Sequence, residues 1–597
     1  MARNQLGFDG YITGDCGAAK DVFTAHNFTS TAEEAANLAL EAGMDVDCGS
    51  FLQSHLLDPD PKTPVNVTAM DEALVHLFAT RIRLGLFDAT DHDPMGYRKI
   101  TAHTVDYTAH FALARRASDE GVVLLHRRAA PPSPMAAAAD SPMAAADLPF
   151  GAPSFPLLHP PSSLALLGPN ADNAGNMQGV DCHGVPPYLV TPRDAFEARL
   201  GAKAVHFTAG SAINKPTSDF AAAVTLAGSS AATVLVVGLD PSMEYEMRDR
   251  DTLLLPDDQE KLVVAAAAAA AARSPPAPVV VVLMSGGALD VSAMVSNPNI
   301  TAVLWCGYPG QSGGDSIADI VLGNVAPSGR VPLTWYREAY LYNGHTVGDS
   351  AHALSMWDMG LRPNASSTVT LGRTYRYFDG DETTRLFRFG HGLQLHQYDY
   401  SDLTVQTAAA TTEEKAGGTG TDAAADAAAA AAAAAPTVSA NAIGVVLGAP
   451  DAQRHSRIDS PAMATASLSV QCTHTPMTRE MKGGTTCPHS VLAFISPPGA
   501  GRNGIPLKTL LGFQRVFNLT AASVGTEEEG TATKATKATT VTTATAAPVV
   551  VHFPITAYDL SVVDATGKRV TVVGAWTVGV GVEGSDETTV SATITVA

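Results

Sequence analysis

Five short runs, at residues 122–125, 164–167, 234–238, 279–284 and 302–305, are apolar without alternation, and several are rich in valine. A strand with one wet face alternates apolar and polar residues. A strand covered on both faces does not. The runs therefore predict a mostly parallel sheet sandwiched between helices, with segments 217–227 and 257–272 among the covers. This block spans residues 104–390. The Ala-, Pro- and Met-rich stretch at 129–153 interrupts it and reads as a surface insert.

Before that block, residues 1–88 show a β-α-β-α pattern. Residues 10–14 form a short β run that ends on Asp15. A helix follows at 30–42, with Ser30 or Thr31 as its cap and Glu33 and Glu34 in the first turn. A second β run at 43–47 leads to Cys48, and a helix at 70–84 stops at Gly85. Two such units leave open strand edges, so this block is not expected to fold alone. Residues 89–103 read as a linker. Beyond it all, residues 391–597 carry period-two, turn-rich segments that predict an antiparallel β-sandwich, broken by low-complexity inserts at 408–436 and 524–547.

Composition excludes some partners. Lys and Arg number 38 against 59 Asp and Glu, hence 38 − 59 = −21. Such a chain has no long-range attraction for nucleic acid or anionic lipid. The alanine tracts at 263–272 and 427–435 are too short and too weakly apolar to span a bilayer. Six cysteines in 597 residues make no disulfide scaffold. Asn27, Asn66, Asn299, Asn364 and Asn518 each open an Asn-x-Ser/Thr acceptor, the pattern of a glycosylated secretory protein. The first residues, MARNQLGFDGYITGD, lack the apolar stretch of a signal peptide. The chain is therefore expected either to stay inside or to be missing its beginning.

Two places could carry chemistry. Asp15 ends a strand on the edge where parallel α/β layers gather reacting groups; it could equally cap a turn. Glu244 and Glu246 follow the 234–238 strand, and two carboxylates on separate segments are the minimal kit for cutting a glycosidic bond. A solvated loop, with Arg248 and Arg250 paired to the acids, is the plainer reading. Cys472-x-His474 and Cys487-x-His489 have zinc-like spacing, but in a secreted β-sandwich a hairpin disulfide is the better reading. The Gly-rich run at 307–314 lacks the Gly-Lys-Ser/Thr of a phosphate loop.

Several longer motifs occur in order: GFDGYITGDCGA and EAGMDVDCGSFL, then VVGLDPSMEYEMRDRDTLLLP, WCGYPGQSGGDSIADIVLGN, LGRTYRYFDG and FRFGHGLQLHQYDYSDL, and finally LSVVDATGKRVTVVGAW. Together they resemble glycoside hydrolase family 3, more closely its β-xylosidase and α-L-arabinofuranosidase branch. The resemblance implies that residues 1–88 are the last two units of a (β/α)8 barrel, residues 104–390 an α/β sandwich, and residues 391–597 a fibronectin type III-like domain. It also implies that six further barrel strands, with a signal peptide, precede the chain in its relatives. The chain would then be a fragment with little activity, or a non-catalytic carbohydrate-binding remnant.

By position, the resemblance makes Asp15 the nucleophile of a retaining mechanism and Glu246 the acid/base, with Glu244 the alternative. Their two blocks would meet in a cleft. Glu244, Cys16 and Tyr308 would touch the sugar. Relatives that cut glucosides usually have tryptophan at the position of Cys16, so the cysteine favours a pentose over a β-glucosidase substrate. Cys16 and Cys48 end neighbouring strands roughly 4.8 Å apart, which predicts a disulfide, the alternative being two free thiols. Two carboxylates suffice, so no metal or organic cofactor is expected. The expected partner is an oligosaccharide or polysaccharide. Gly14 stands where relatives usually have serine, and His126-Arg127 where they have Lys-Asn.

Overall fold

The computed structural model describes the chain apart from residues 129–154, 408–442, 446–461, 474–487, 517–548 and shorter stretches elsewhere. The three expected inserts, His474 and Cys487 lie outside the described residues. Two compact units emerge, Met1–Tyr107 and Thr108–Ala452 with Arg457–Ala597.

In the first unit both expected β runs shrink to one parallel bridge, Thr13 to Val46. The buried Asp45 carboxylate holds them beside a helix. It accepts from the Ile12 amide (2.6 Å), pairs with His76 Nδ1 (2.9 Å) and takes the Arg3 guanidinium. The helix Ala32–Glu41 is capped by Thr31, whose hydroxyl accepts from the Glu34 amide, while the Glu34 carboxylate accepts from Ser30. Asn66 caps the helix Val67–Arg83. That start is earlier than expected because Asn66 reads in sequence as a glycan acceptor rather than a cap. The apolar interior is thin: Ala19, Ala35, Ala36, Leu40 and Ala73 are buried, whereas Val75, Phe78, Ile82 and Phe87 are exposed.

The second unit contains the expected sheet. Its strands are β1 (Val123–Arg127), β2 (Leu164–Leu167), β3 (Val205–Thr208), β4 (Ala232–Gly238), β5 (Val279–Met284) and β6 (Ala302–Trp305), in the order β1-β6-β5-β4-β2-β3. All neighbours are parallel except β1, which runs against β6. The edge strand β3 escapes sequence reading because Val-His-Phe-Thr is only half covered. One apolar cluster fills each face of the sheet. Helices Ala221–Ser229 and Gln259–Ala271 cover one side and Pro192–Leu200 and Gly313–Val321 the other.

Two further sheets share a third core built on Trp576, Phe553, Val491 and Ile594. One has three strands, Gln397–Thr407, Ala462–Thr473 and Val549–Thr556. The other has five, with Ile443–Val445 parallel to Val590–Val596 and the remaining pairs antiparallel.

Buried polar groups join this region to the loop after the Gly313–Val321 helix. The Arg330 guanidinium donates to the carbonyls of Ser490 and Gly390, and Arg515 donates to the Ser328 carbonyl and the Ser490 hydroxyl. Alongside, His489 stacks on Tyr398 at 3.7 Å and shares a 2.7 Å hydrogen bond with the Tyr400 hydroxyl. Burial, then the charges of Arg330 and Arg515, hold the imidazole pKa well below its ordinary value. The neutral ring is therefore native. The unfolded chain takes up this proton as pH falls below about 6.5, while the folded chain resists it, so stability should decline there by up to about 1.4 kcal/mol per pH unit. Urea midpoints between pH 7 and 5 check this: His489→Gln should lose that part of the slope, and an unchanged slope would remove His489 as its source.

Candidate active site

The C-terminal edge of a parallel sheet is where chain ends and loops can surround a ligand. Here three successive strands converge on one carboxylate. The loop after β4 brings in Glu244, half-buried. Its Oε1 accepts from the Gly286 amide, beyond β5, at 2.6 Å, and from the Tyr308 hydroxyl, beyond β6, at 2.5 Å. Burial, then the hydrogen bond and charge of Glu244, hold the Tyr308 phenol above its usual range, so it stays protonated and donates. Among the described residues no hydrogen bond falls on Glu244 Oε2. That oxygen remains available to a ligand.

Glycines make the approach possible. At Gly286 an added Cβ would come within 3.2 Å of Glu244 Oε1, and at Gly179 within 2.5 Å of the Tyr308 ring. The end of β4 is fixed from below by Gln259, fully buried. Its Oε1 accepts from the Gly238 amide at 2.8 Å, and its Nε2 donates to the carbonyls of Gly238 and Ile213. The Glu244 loop then returns past Arg250. That guanidinium feels the charge of Glu244, and its buried Nε has no hydrogen-bond partner among the described residues. Glu338 anchors the far end of the loop through Thr252 and the Leu253 amide.

Glu246 is exposed two residues on, and Arg248 lies over the Tyr245 ring. Glu244 and Glu246 therefore sit in different environments, with the turn bridged between Tyr245 and Arg248 carrying Glu246 outward. Sequence reasoning missed Gly286 and treated Arg250 as a plain salt-bridge partner. Only the spacing of strand ends could have flagged Gly286, and that requires the strand order.

In the first unit Asp15 is exposed just after the Thr13 bridge, and its Oδ1 accepts from the Cys16 amide at 2.8 Å. Cys16 and Cys48 form the expected disulfide, with Cα atoms 4.4 Å apart. Backbone bonds from Gly14 to Val46 and from Gly17 to Cys48 register the two chain segments on either side of it. A side chain at Gly14 would meet the flexible Met44 thioether rather than backbone. Of the glycan acceptors, Asn27 is exposed. Asn66 is occupied as a helix cap, its Nδ2 donating to Glu41, and at Asn299 the sequon hydroxyl of Thr301 is buried on the Val279 amide. Asn364 and Asn518 lie outside the described residues. Among the described residues no group of three His, Cys, Asp or Glu side chains is placed to hold a metal.

Residues 152–395 match the glycosyl hydrolase family 3 C-terminal domain. A probable beta-D-xylosidase 7 of Arabidopsis thaliana is 34% identical over 399 residues, which are 67% of this chain and 46% of that protein. A probable exo-1,4-beta-xylosidase of Aspergillus fumigatus is 32% identical over 506 residues, 85% of this chain and 53% of that protein. The chain spans about half the length of these curated relatives. Among solved structures, a GH3 exo-beta-xylosidase bound to a xylobiose aziridine probe superposes with a TM-score of 0.71 at 25% identity, covering 99% of this chain and 61% of that one. A beta-glucosidase from Listeria innocua, at 17% identity and a TM-score of 0.65 over 100% of this chain and 64% of its own, shares the fold.

Proposed function

Because this chain belongs to glycoside hydrolase family 3, we propose that it serves a retaining glycosidase that removes terminal β-xylosyl or α-L-arabinofuranosyl residues from plant-type wall polysaccharides. The observation that carries the reading is the Glu244 niche, a carboxylate presented by three strand ends with one oxygen open. Similarity to proteins named as xylosidases supports the pentose. So does Cys16, which is tied back in a disulfide and offers no aromatic platform beside Asp15.

In this reading Asp15 attacks the anomeric carbon and forms a glycosyl ester as the leaving oxygen takes a proton. Water then opens the ester, giving up its proton to the same acid/base group, and the configuration is retained. That group comes from the 244–246 segment. The sequence pattern favours Glu246, while half-burial at the strand ends favours Glu244. Extracellular residence and glycosylation belong to the same proposal, supported by the disulfide and the exposed Asn27 acceptor. The inactive, carbohydrate-binding alternative predicts that no covalent intermediate ever forms.

A xylobiose aziridine probe tests this without requiring turnover. In the longest form of the protein that turns over nitrophenyl xyloside, it should esterify Asp15, detected as a labelled tryptic peptide that is absent in Asp15→Asn. Labelling elsewhere, or none, would overturn the assignment. The two glutamates separate by leaving group. Replacing the acid/base by alanine should slow xylobiose cleavage by about 10²- to 10⁴-fold yet spare nitrophenyl glycosides far more, and azide should restore rate with a retained-configuration azide product. The other glutamate's alanine variant should show neither azide rescue nor leaving-group dependence.

A further inference from the structure

A second cleft, of about 750 Å³, lies in the Thr108–Ala597 part of the chain, where the segment 375–389 faces Phe494, Leu507 and Lys508 of the β-sandwich. Its volume is in the range that holds small ligands. The floor is aromatic. Tyr375 and Phe389 lie 4.4 Å apart, and Phe494 stands edge-on to both at 5.9 and 6.2 Å. The Tyr375 ring is fixed, since its hydroxyl accepts from the Leu510 amide.

Around these rings the lining carries three carboxylates, Asp379, Asp381 and Glu382, and three cations, Arg385, Arg388 and Lys508. The opposing charges balance, so neither an anion nor a cation is favoured by the net field. Asp381 is committed to Thr383, and Arg385 donates to the Gly380 carbonyl. Asp379 and Glu382 are exposed at the rim, and the Lys508 ammonium sits 4.7 Å over Phe494. Thr334, 7% exposed, borders the cleft, and its buried hydroxyl oxygen has no hydrogen-bond partner among the described residues.

Flat apolar rings bordered by both acceptors and donors match one chemical class well. A pyranose ring offers a C–H face to an aromatic plane and hydroxyls that both donate and accept. We propose that this cleft is a binding site for a neutral oligosaccharide. It would hold a polymer to the protein by contacts that play no part in bond cleavage. The inference goes beyond the proposed reaction and does not need it, because it concerns equilibrium binding alone.

The test is calorimetric or saturation-transfer NMR titration of xylohexaose into the purified chain carrying Asp15→Ala, so that hydrolysis cannot intrude. Binding should weaken about tenfold in Lys508→Ala combined with Glu382→Gln, the first half-buried over Phe494 and the second exposed on the rim, with an unchanged circular dichroism spectrum. Tyr375→Leu, which keeps bulk but removes the ring, gives a second reading and should weaken binding by a similar factor at an unchanged circular dichroism spectrum; unchanged affinity would overturn the site. Hexagalacturonate, the charged counterpart, should bind at least tenfold more weakly than xylohexaose. Absence of xylohexaose binding, affinity unmoved by the rim variant, or equal affinity for hexagalacturonate would each overturn the site. Failure of the aziridine label with binding intact would sink the reaction and leave this site standing.

Discussion

Asp15→Ala should reduce turnover of nitrophenyl β-xyloside by about 10⁴-fold or more, since removing the proposed nucleophile deletes the step on which the proposed mechanism turns. The measurement is the initial rate in the longest form of the protein that turns over the substrate. The loss should appear in kcat with little change in KM, because the carboxylate acts on the reacting carbon and adds little to ground-state binding. Azide should rescue the variant with inversion of configuration, as an external nucleophile enters from the face that Asp15 vacates. The native contacts make the substitution structurally mild. Asp15 is exposed, and its side chain accepts one local bond from Cys16. A variant that keeps most of its activity would therefore remove Asp15 from the role rather than report a folding defect.

The largest stability effect should come from Gly238→Ala. Gly238 closes β4 with φ of 142°, outside the range that residues with a side chain readily adopt. An added Cβ would also lie well inside contact distance of the Met284 carbonyl oxygen, which is backbone and cannot swing away. Strain and clash together should cost about 3 kcal/mol or more. A domain of this size should then lose roughly 6–12 °C in the transition that melts the six-stranded sheet. Gly307→Ala is the matched control. Its φ of 60° lies in the left-handed helical region, a milder strain than at Gly238, and open space surrounds the new methyl group, so about 1 kcal/mol is expected. Equal melting of the two variants would show that the β4–β5 approach is looser than the structure makes it.

The sheet of the second unit was legible because burial on both faces leaves a continuous apolar signature. All five expected runs are strands, whereas β3 lies at an edge and carries none. Strand direction was less accessible: β1 reads like its neighbours yet runs antiparallel, since burial pattern is blind to polarity. The first unit's strands were overread. Residues 10–14 and 43–47 have strand-like sequence but hold only one bridge, and the polar knot at Asp45 has no periodic signature. At the candidate site, the Glu-x-Glu pattern pointed to the segment around which the ends of β4, β5 and β6 gather. What separates Glu244 from Glu246 is a turn and two donors borrowed from other strands, which are tertiary facts. The Cys16–Cys48 pair was foreseeable because adjacent strand ends bring their residues within bonding reach.

That pair has a practical corollary. One sulfur belongs to the residue next to Asp15, so the chemical clasp and the proposed nucleophile share a peptide unit. Material made in a bacterial cytoplasm, where thiols stay reduced, would carry an unclasped loop at that point. Preparations from such a host and from an oxidising export route would share every residue and still present Asp15 differently to an incoming sugar.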